Sequence, residues 1–168
     1  MTLTLHDQDF DSELLTKVTE AVNSDSDKIT IYLCSDGGFT CVCAVSLDII
    51  NKNKERFKII GYERLCSAAF EFFIKAECEK ELMFKTLGMI HQSSRSVYLN
   101  DNLSGANTNN KAVMERVKKY TKPNDEIFIK RLGLTQKELR AYNKGEDVYF
   151  QYDRFSGVVD HYKTNYKC

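Results

Sequence analysis

Between Ile29 and Tyr62 the chain sets out a strand, a helix and a second strand, and that succession limits its possible folds more than any other feature. Ile29-Thr30-Ile31-Tyr32-Leu33-Cys34 is a continuous β-branched and apolar run closed by Ser35-Asp36-Gly37-Gly38, the pattern of a strand buried on both faces of a parallel sheet. Residues 40–52 then carry apolar side chains at helical spacing and run into Asn51-Lys52-Asn53-Lys54, after which Phe57-Lys58-Ile59-Ile60-Gly61-Tyr62 reads as the next strand. Parallel strands need a crossover of this kind, so the chain is expected to be α/β.

The rest of the chain repeats the cycle. Asp11-Ser12 offers an N-cap, and Leu14, Leu15, Val18, Ala21 and Val22 recur at helical spacing, which predicts an amphipathic helix over 12–23. Ser67–Lys80 reads as a helix, Leu82–Ile90 contains a strand, and Val113–Tyr120 is helical again. Residues 92–112 are rich in Ser, Asn and Gly and are expected to be a flexible loop or short hairpin. Thr135 and Glu138 form a capping box that starts a short helix at 136, and Tyr149–Val159 is expected to return to the sheet or pack on its edge. With no repeat or compositional break, residues 1–168 are expected to be a single domain.

Composition excludes several classes of function. Hydrophobic residues are 42% and charged residues 29%, which argues against disorder. Twenty-four Lys and Arg balance twenty-four Asp and Glu, so there is no global basic footprint for nucleic acid or an anionic membrane. The longest apolar stretches, Thr40–Ile50 and Ser67–Ala76, fall short of the roughly 18 residues that span a bilayer. The acidic N-terminus lacks the basic and apolar regions of an export signal. Six cysteines, at 34, 41, 43, 66, 78 and 168, sit singly in apolar segments, which fits a reducing, cytoplasmic compartment. Cys34, Cys41 and Cys43 contain no CxxC pair, so neither a metal site nor a cofactor is expected.

Four features could carry chemistry. Gly37-Gly38 directly follows a buried strand, where the main chain can turn and present N–H groups to an anion, although a tight turn explains it equally well. Ser67, in Leu65-Cys66-Ser67-Ala68-Ala69, sits where a strand ends and an apolar helix begins; taken alone it reads first as an N-cap. His91 ends a strand in Gly88-Met89-Ile90-His91-Gln92, the place where open α/β sheets put their chemistry. Asp147 follows the capped helix and, alone, reads as a solvated turn carboxylate. His6 and His161 have no partner by spacing, and Arg116, Lys118, Lys119 and Lys122 read as a solvated helix face.

Taken in order, these features resemble the Clp protease family, the ClpP-like serine peptidases. The resemblance rests on Ile29–Leu33 with Ser35-Asp36-Gly37-Gly38, on Ser67-Ala68-Ala69, on Met89-Ile90-His91-Gln92, and on Asp147 ahead of Gly157-Val158-Val159-Asp160. It runs through roughly residues 3–162 and implies a crotonase-like α/β core of repeated ββα units around a mostly parallel sheet, with 92–112 as a flexible or reduced handle. It further implies a serine endopeptidase acting on unfolded or extended polypeptides. Ser67 would be the nucleophile, His91 the general base and Asp147 the residue that orients the imidazole. The N–H groups of Gly38 and Ala68 would hold the oxyanion, and substrate would pair with the strand edge near Gly37–Phe39. By the same analogy the chain would form a homo-oligomeric ring and could work with an AAA+ unfoldase.

Departures from the family pattern define the alternatives. Asp36 stands where the family usually has proline, Ala69 replaces a glycine, Glu71 charges a helix that is normally apolar, and the motif is not the GxSxG elbow. Asp153 and Asp160 compete with Asp147 for the third position, and Cys66 competes with Ser67 as nucleophile. The main alternative is a catalytically inactive ClpP-like scaffold or adaptor subunit. A second is an acyl-thioester enzyme of the crotonase fold, which would work with carboxylates rather than with Ser67 and His91.

Overall fold

A computed structural model describes residues 1–92 and 126–165. The chain order is β1 (Thr2–His6), α1 (Ser12–Asn23), β2 (Ile29–Ser35), α2 (Thr40–Lys52), β3 (Phe57–Cys66), α3 (Ala68–Lys75), β4 (Glu79–Leu82) and β5 (Leu87–Ile90). A helical stretch at 126–131 precedes α4 (Gln136–Asn143), β6 (Val148–Phe150) and α5 (Tyr152–Asn165). The sheet runs β1-β2-β3-β5-β6, with β4 also paired to β3. All pairings are parallel except β5 with β6, so the expected mostly parallel α/β architecture is present. The helix expected over 113–120, the charged run at 116–122 and nearly all of the expected loop at 92–112 lie outside the described residues. Among the described residues no helix is long and apolar enough to cross a membrane.

Local chemistry explains the elements. The Asp11 carboxylate accepts from the N–H groups of Glu13 and Leu14, and α1 buries Leu14, Val18 and Ala21 on one face. The Thr135–Glu138 capping box forms as expected. In β2, Ile29, Ile31 and Leu33 are buried, but Tyr32 is 36% exposed, so the strand is not covered on both faces as its apolar run suggested. The helix expected over 67–80 stops at Lys75. Beyond it, alternating charges make an edge strand, and Lys58 on β3 lies 3.0 Å from Glu79 and 2.9 Å from Glu81. The strand β1 was not anticipated, although Thr2-Leu3-Thr4-Leu5 alternates as a strand should. The segment expected at 149–159 contributes only Val148–Phe150 to the sheet edge and then turns into α5.

Phe70 on α3 stacks on Phe150 of β6 and on Phe155 of α5, with ring centroids 5.4 and 4.9 Å away. Gly88 on β5 makes this possible, because a Cβ there would come within 2.9–3.0 Å of Phe155 and Phe70. Arg154 ties α5 to α4, donating to both carboxylate oxygens of Glu138 at 2.8 and 2.6 Å and to the Gly133 carbonyl at 3.0 Å. The chain between α4 and α5, which carries Asp147, is therefore anchored at both ends.

Replacing Arg154 with Met leaves a largely buried carboxylate without its partner and is expected to lower stability by roughly 1–3 kcal/mol at neutral pH. Arg154 lowers the Glu138 carboxyl from 4.5 to about 2, so its stabilising contribution is complete above about pH 4.5 and disappears as pH falls toward 2. Urea midpoints of wild type and R154M should therefore converge over that interval.

Candidate active site

Ser67 lies between the end of β3 and the first turn of α3, with φ 53° and ψ −122°. A Cβ is sterically disfavoured in this region, and the conformation persists because the surroundings hold it. The Ser67 N–H donates to the Met89 carbonyl on β5 at 2.9 Å. Ser67 occupies the N-cap position of α3 as its place in the sequence suggests, but its hydroxyl makes no cap hydrogen bond to the helix. The hydroxyl lies instead 2.7 Å from His91 Nε2. With the ring proton on Nδ1, facing Asp147, the Ser67 hydroxyl donates to Nε2.

His91 immediately follows β5, and Asp147 immediately precedes β6. The antiparallel register pairs Ile90 with Val148, so His91 and Asp147 face each other one step beyond the last ladder pair. His91 Nδ1 lies 3.9 Å from Asp147 Oδ1, an ion-pair distance longer than a hydrogen bond. The Tyr149 hydroxyl donates to Asp147 Oδ2 at 3.4 Å, and the Asp147 charge pushes the Tyr149 phenol up. Asp153 and Asp160, the competing carboxylates, lie on α5 and form no ion pair with His91 among the described residues. Gln92 fixes the segment after His91 by donating to the Tyr142 carbonyl at 2.9 Å.

The glycine pair brings the end of β2 against this corner. A Cβ on Gly37 would lie 2.8 Å from the Cys66 carbonyl, 2.8 Å from Ser67 Cβ and 2.9 Å from the Ala68 nitrogen. The Gly37 N–H is taken by Ser35 Oγ at 3.0 Å, and that hydroxyl donates to the Gln8 carbonyl at 2.6 Å. Gly37 therefore contributes close approach rather than a donor. The N–H groups of Gly38 and Ala68 have no hydrogen-bond partner among the described residues, and Ala68 is the first residue of α3, where the helix dipole adds positive character. A small, open cleft is lined by Ser67, Ala68 and His91 together with Thr40, Glu71, Ile90, Phe128, Ile129 and Tyr142.

The departures from the family pattern find local explanations. Arg64 donates to both oxygens of Asp36, at 2.7 and 3.2 Å, and holds that carboxyl below its usual range, so the charge beside Gly37 is compensated. Glu71 pairs with Lys75 one turn on, and Lys75 Nζ sits 4.6 Å above the Phe128 ring. Burial pushes the Cys66 thiol up to about 11, so it stays protonated at neutral pH and is a poor competitor for Ser67. Cys34, Cys41 and Cys43 do not converge: Cys41 is exposed on α2, and Cys43 donates to the Ala68 carbonyl at 3.4 Å. His6, which lacks a partner by spacing, stacks on Tyr62, whose hydroxyl is 2.9 Å from its Nδ1. Ser35, Met89 and Tyr149 support the site, and in the sequence they stand only as neighbours of Gly37, His91 and Asp147 with no role of their own.

No family model matches the chain, and no curated protein matches it in sequence. Among solved structures it is similar to a ClpP1 point mutant from Listeria monocytogenes, at 18% identity over 94% of this chain and 86% of that chain, with a TM-score of 0.62. The chain has a ClpP-like fold.

The Ser67 backbone offers a direct test of the strain at this corner. Glycine is at ease at positive φ and alanine is not, so Ser67→Gly should be more stable than Ser67→Ala by about 1 kcal/mol in urea unfolding. The opposite ranking would show that the corner is relaxed.

Proposed function

We propose that this chain is a serine endopeptidase that hydrolyses peptide bonds in unfolded or extended polypeptides. The observation that carries the reading is the 2.7 Å approach of the Ser67 hydroxyl to His91 Nε2 at a positive-φ strand-to-helix corner. A nucleophile and its base in direct contact, beside two unpaired N–H groups, is the arrangement acyl transfer needs.

In this reading Ser67 Oγ attacks the scissile carbonyl while His91 Nε2 takes its proton. The carbonyl oxygen becomes an oxyanion held by the Gly38 and Ala68 N–H groups, each worth roughly 3 kcal/mol to the transition state. His91 returns the proton to the leaving amine, and water then cleaves the acyl-enzyme by the same route. Asp147 faces the other ring nitrogen and stabilises the imidazolium that forms in each half. An extended substrate would lie beside Gly38 rather than pair along the whole of Gly37–Phe39, because the Gly37 N–H and carbonyl and the Phe39 N–H are already bonded to Ser35 and Phe10. The resemblance to ClpP-like peptidases extends the proposal to a homo-oligomeric ring served by an AAA+ unfoldase. Exposed Val45, Met83 and Phe84 are apolar side chains that such an assembly would cover.

One distance favours a second reading, the inactive scaffold: the 3.9 Å separation of His91 from Asp147 exceeds a hydrogen bond. Intact-mass labelling with a fluorophosphonate separates the two. The peptidase reading expects one adduct on Ser67, absent in Ser67→Ala and His91→Ala. It also expects hydrolysis of a labelled unfolded polypeptide to fall roughly 10³–10⁴-fold in Asp147→Asn. No adduct on folded wild-type protein would leave the scaffold reading.

A further inference from the structure

Outside the cleft, the C-terminal ends of three adjacent strands gather a second set of reactive side chains. His6 on β1 and Cys34 on β2 are register partners, so their side chains share one face of the sheet. Across from Cys34, β3 bulges: the step from Leu33 to Ser35 on β2 spans Gly61 to Leu65 on β3. Within the bulge Glu63 takes φ 51°, a costly conformation for glutamate. That irregularity brings Glu63 Oε2 to 3.8 Å from Cys34 Sγ. One ligating atom from each of His6, Cys34 and Glu63 lies within 4.8 Å of the other two.

The charges around this cluster do not balance. Asp7, Asp36 and Glu63 lie around Arg64, which donates to Asp7, to both oxygens of Asp36 and, at 3.8 Å, to Cys34 Sγ, and stays 3.9 Å from Glu63, while His6 Nε2 lies 3.5 Å from Asp7. Three carboxylates thus face one guanidinium beside a fully buried thiol. The His6 ring is held by Tyr62 through stacking and through the hydroxyl 2.9 Å from Nδ1, the kind of outer support that orients a ligating imidazole.

We propose that His6, Cys34 and Glu63 form a zinc site that ties together the ends of β1, β2 and β3, the fourth position being open to water on the exposed side of His6 and Glu63. A mixed sulfur, nitrogen and oxygen donor set suits zinc better than magnesium or calcium. Bonds of roughly 2.0–2.3 Å place tetrahedral donors roughly 3.3–3.7 Å apart. The Cys34–Glu63 separation already approaches this, and small shifts of the exposed Glu63 carboxylate and of the His6 ring, with its Tyr62 hydrogen bond kept, close the remainder. Binding exchanges the Cys34 thiol proton for the metal and releases it to solvent. The site lies just upstream of Gly37 on one strand and of Ser67 on the next, and it stands independently of the function assigned to Ser67.

The test uses the full chain, stripped with chelator, reloaded with zinc and passed over a desalting column, with bound metal measured by elemental mass spectrometry. Wild type should retain about one zinc per chain and should melt at a higher temperature with zinc than without. Cys34→Ser and Glu63→Gln should each weaken binding by more than the roughly 10–100-fold typical of losing an outer partner, and Tyr62→Phe by roughly 10-fold. Cys41→Ser, at an exposed cysteine on α2, should bind as wild type does. Circular dichroism of each zinc-free variant establishes that it is folded, and Glu63→Gln, at the surface, keeps the test sound if Cys34→Ser is not. Folded wild type that retains no zinc overturns the proposal. So does retention that survives both ligand variants or that falls equally in Cys41→Ser.

Discussion

Three backbone segments meet at Gly37 with no room for a side chain, and the geometry of the whole corner depends on that contact. The end of β2 approaches Cys66, Ser67 and Ala68 so closely that even a methyl group would collide with backbone. The approach is enforced from behind, where the Phe10 N–H donates to the Gly37 carbonyl at 2.8 Å and Phe39 donates to the Phe10 carbonyl at 2.8 Å. On the other side Ser67 is held to β5 through Met89. The strained serine therefore sits between two fixed backbones, the condition under which an unfavourable φ survives in a folded protein.

Ser67, His91 and Asp147 have unequal support. Ser67 and His91 directly follow β3 and β5, parallel strands of the core that are paired with each other. Asp147 immediately precedes the antiparallel β6, a strand of three residues, and depends on the Phe70 stack and the Glu138–Arg154 link for its position. The tight serine–histidine contact and the looser histidine–aspartate contact follow from that difference. A small shift of β6 changes the second distance and leaves the first alone.

Much of the fold was legible because its signals are local. The Asp11 cap, the apolar repeat of α1, the β-branched run at 29–34 and the Thr135–Glu138 capping box each fix an element without reference to the rest of the chain. The places where reading failed depend on tertiary pairing. The shortening of α3 depends on Lys58 waiting across the sheet for Glu79 and Glu81, and the strand at 2–6 exists because β2 lies beside it. Within the cleft, the grouping of Ser67, His91 and Asp147 came from a resemblance, and no spacing rule links positions so far apart. Their proximity comes from register, with Ser67 bonded to Met89 and His91 opposite Asp147. The left-handed Glu63 beside Cys34 was invisible in sequence because it arises from how β2 and β3 slip past each other, whereas the Ser35 bond that takes the Gly37 N–H is a local turn of two residues.

The positive φ at Ser67 also bears on how this sequence drifts over evolutionary time. At most surface or capping serines, replacement by glycine is neutral or harmful, and random substitution erodes the position slowly in many directions. At this corner one substitution relieves the backbone, so the relaxed choice lies a single step away and loses only the hydroxyl. A lineage with no use for that hydroxyl would be expected to settle on glycine, and serine at this position in relatives of this chain would record continued selection for the oxygen.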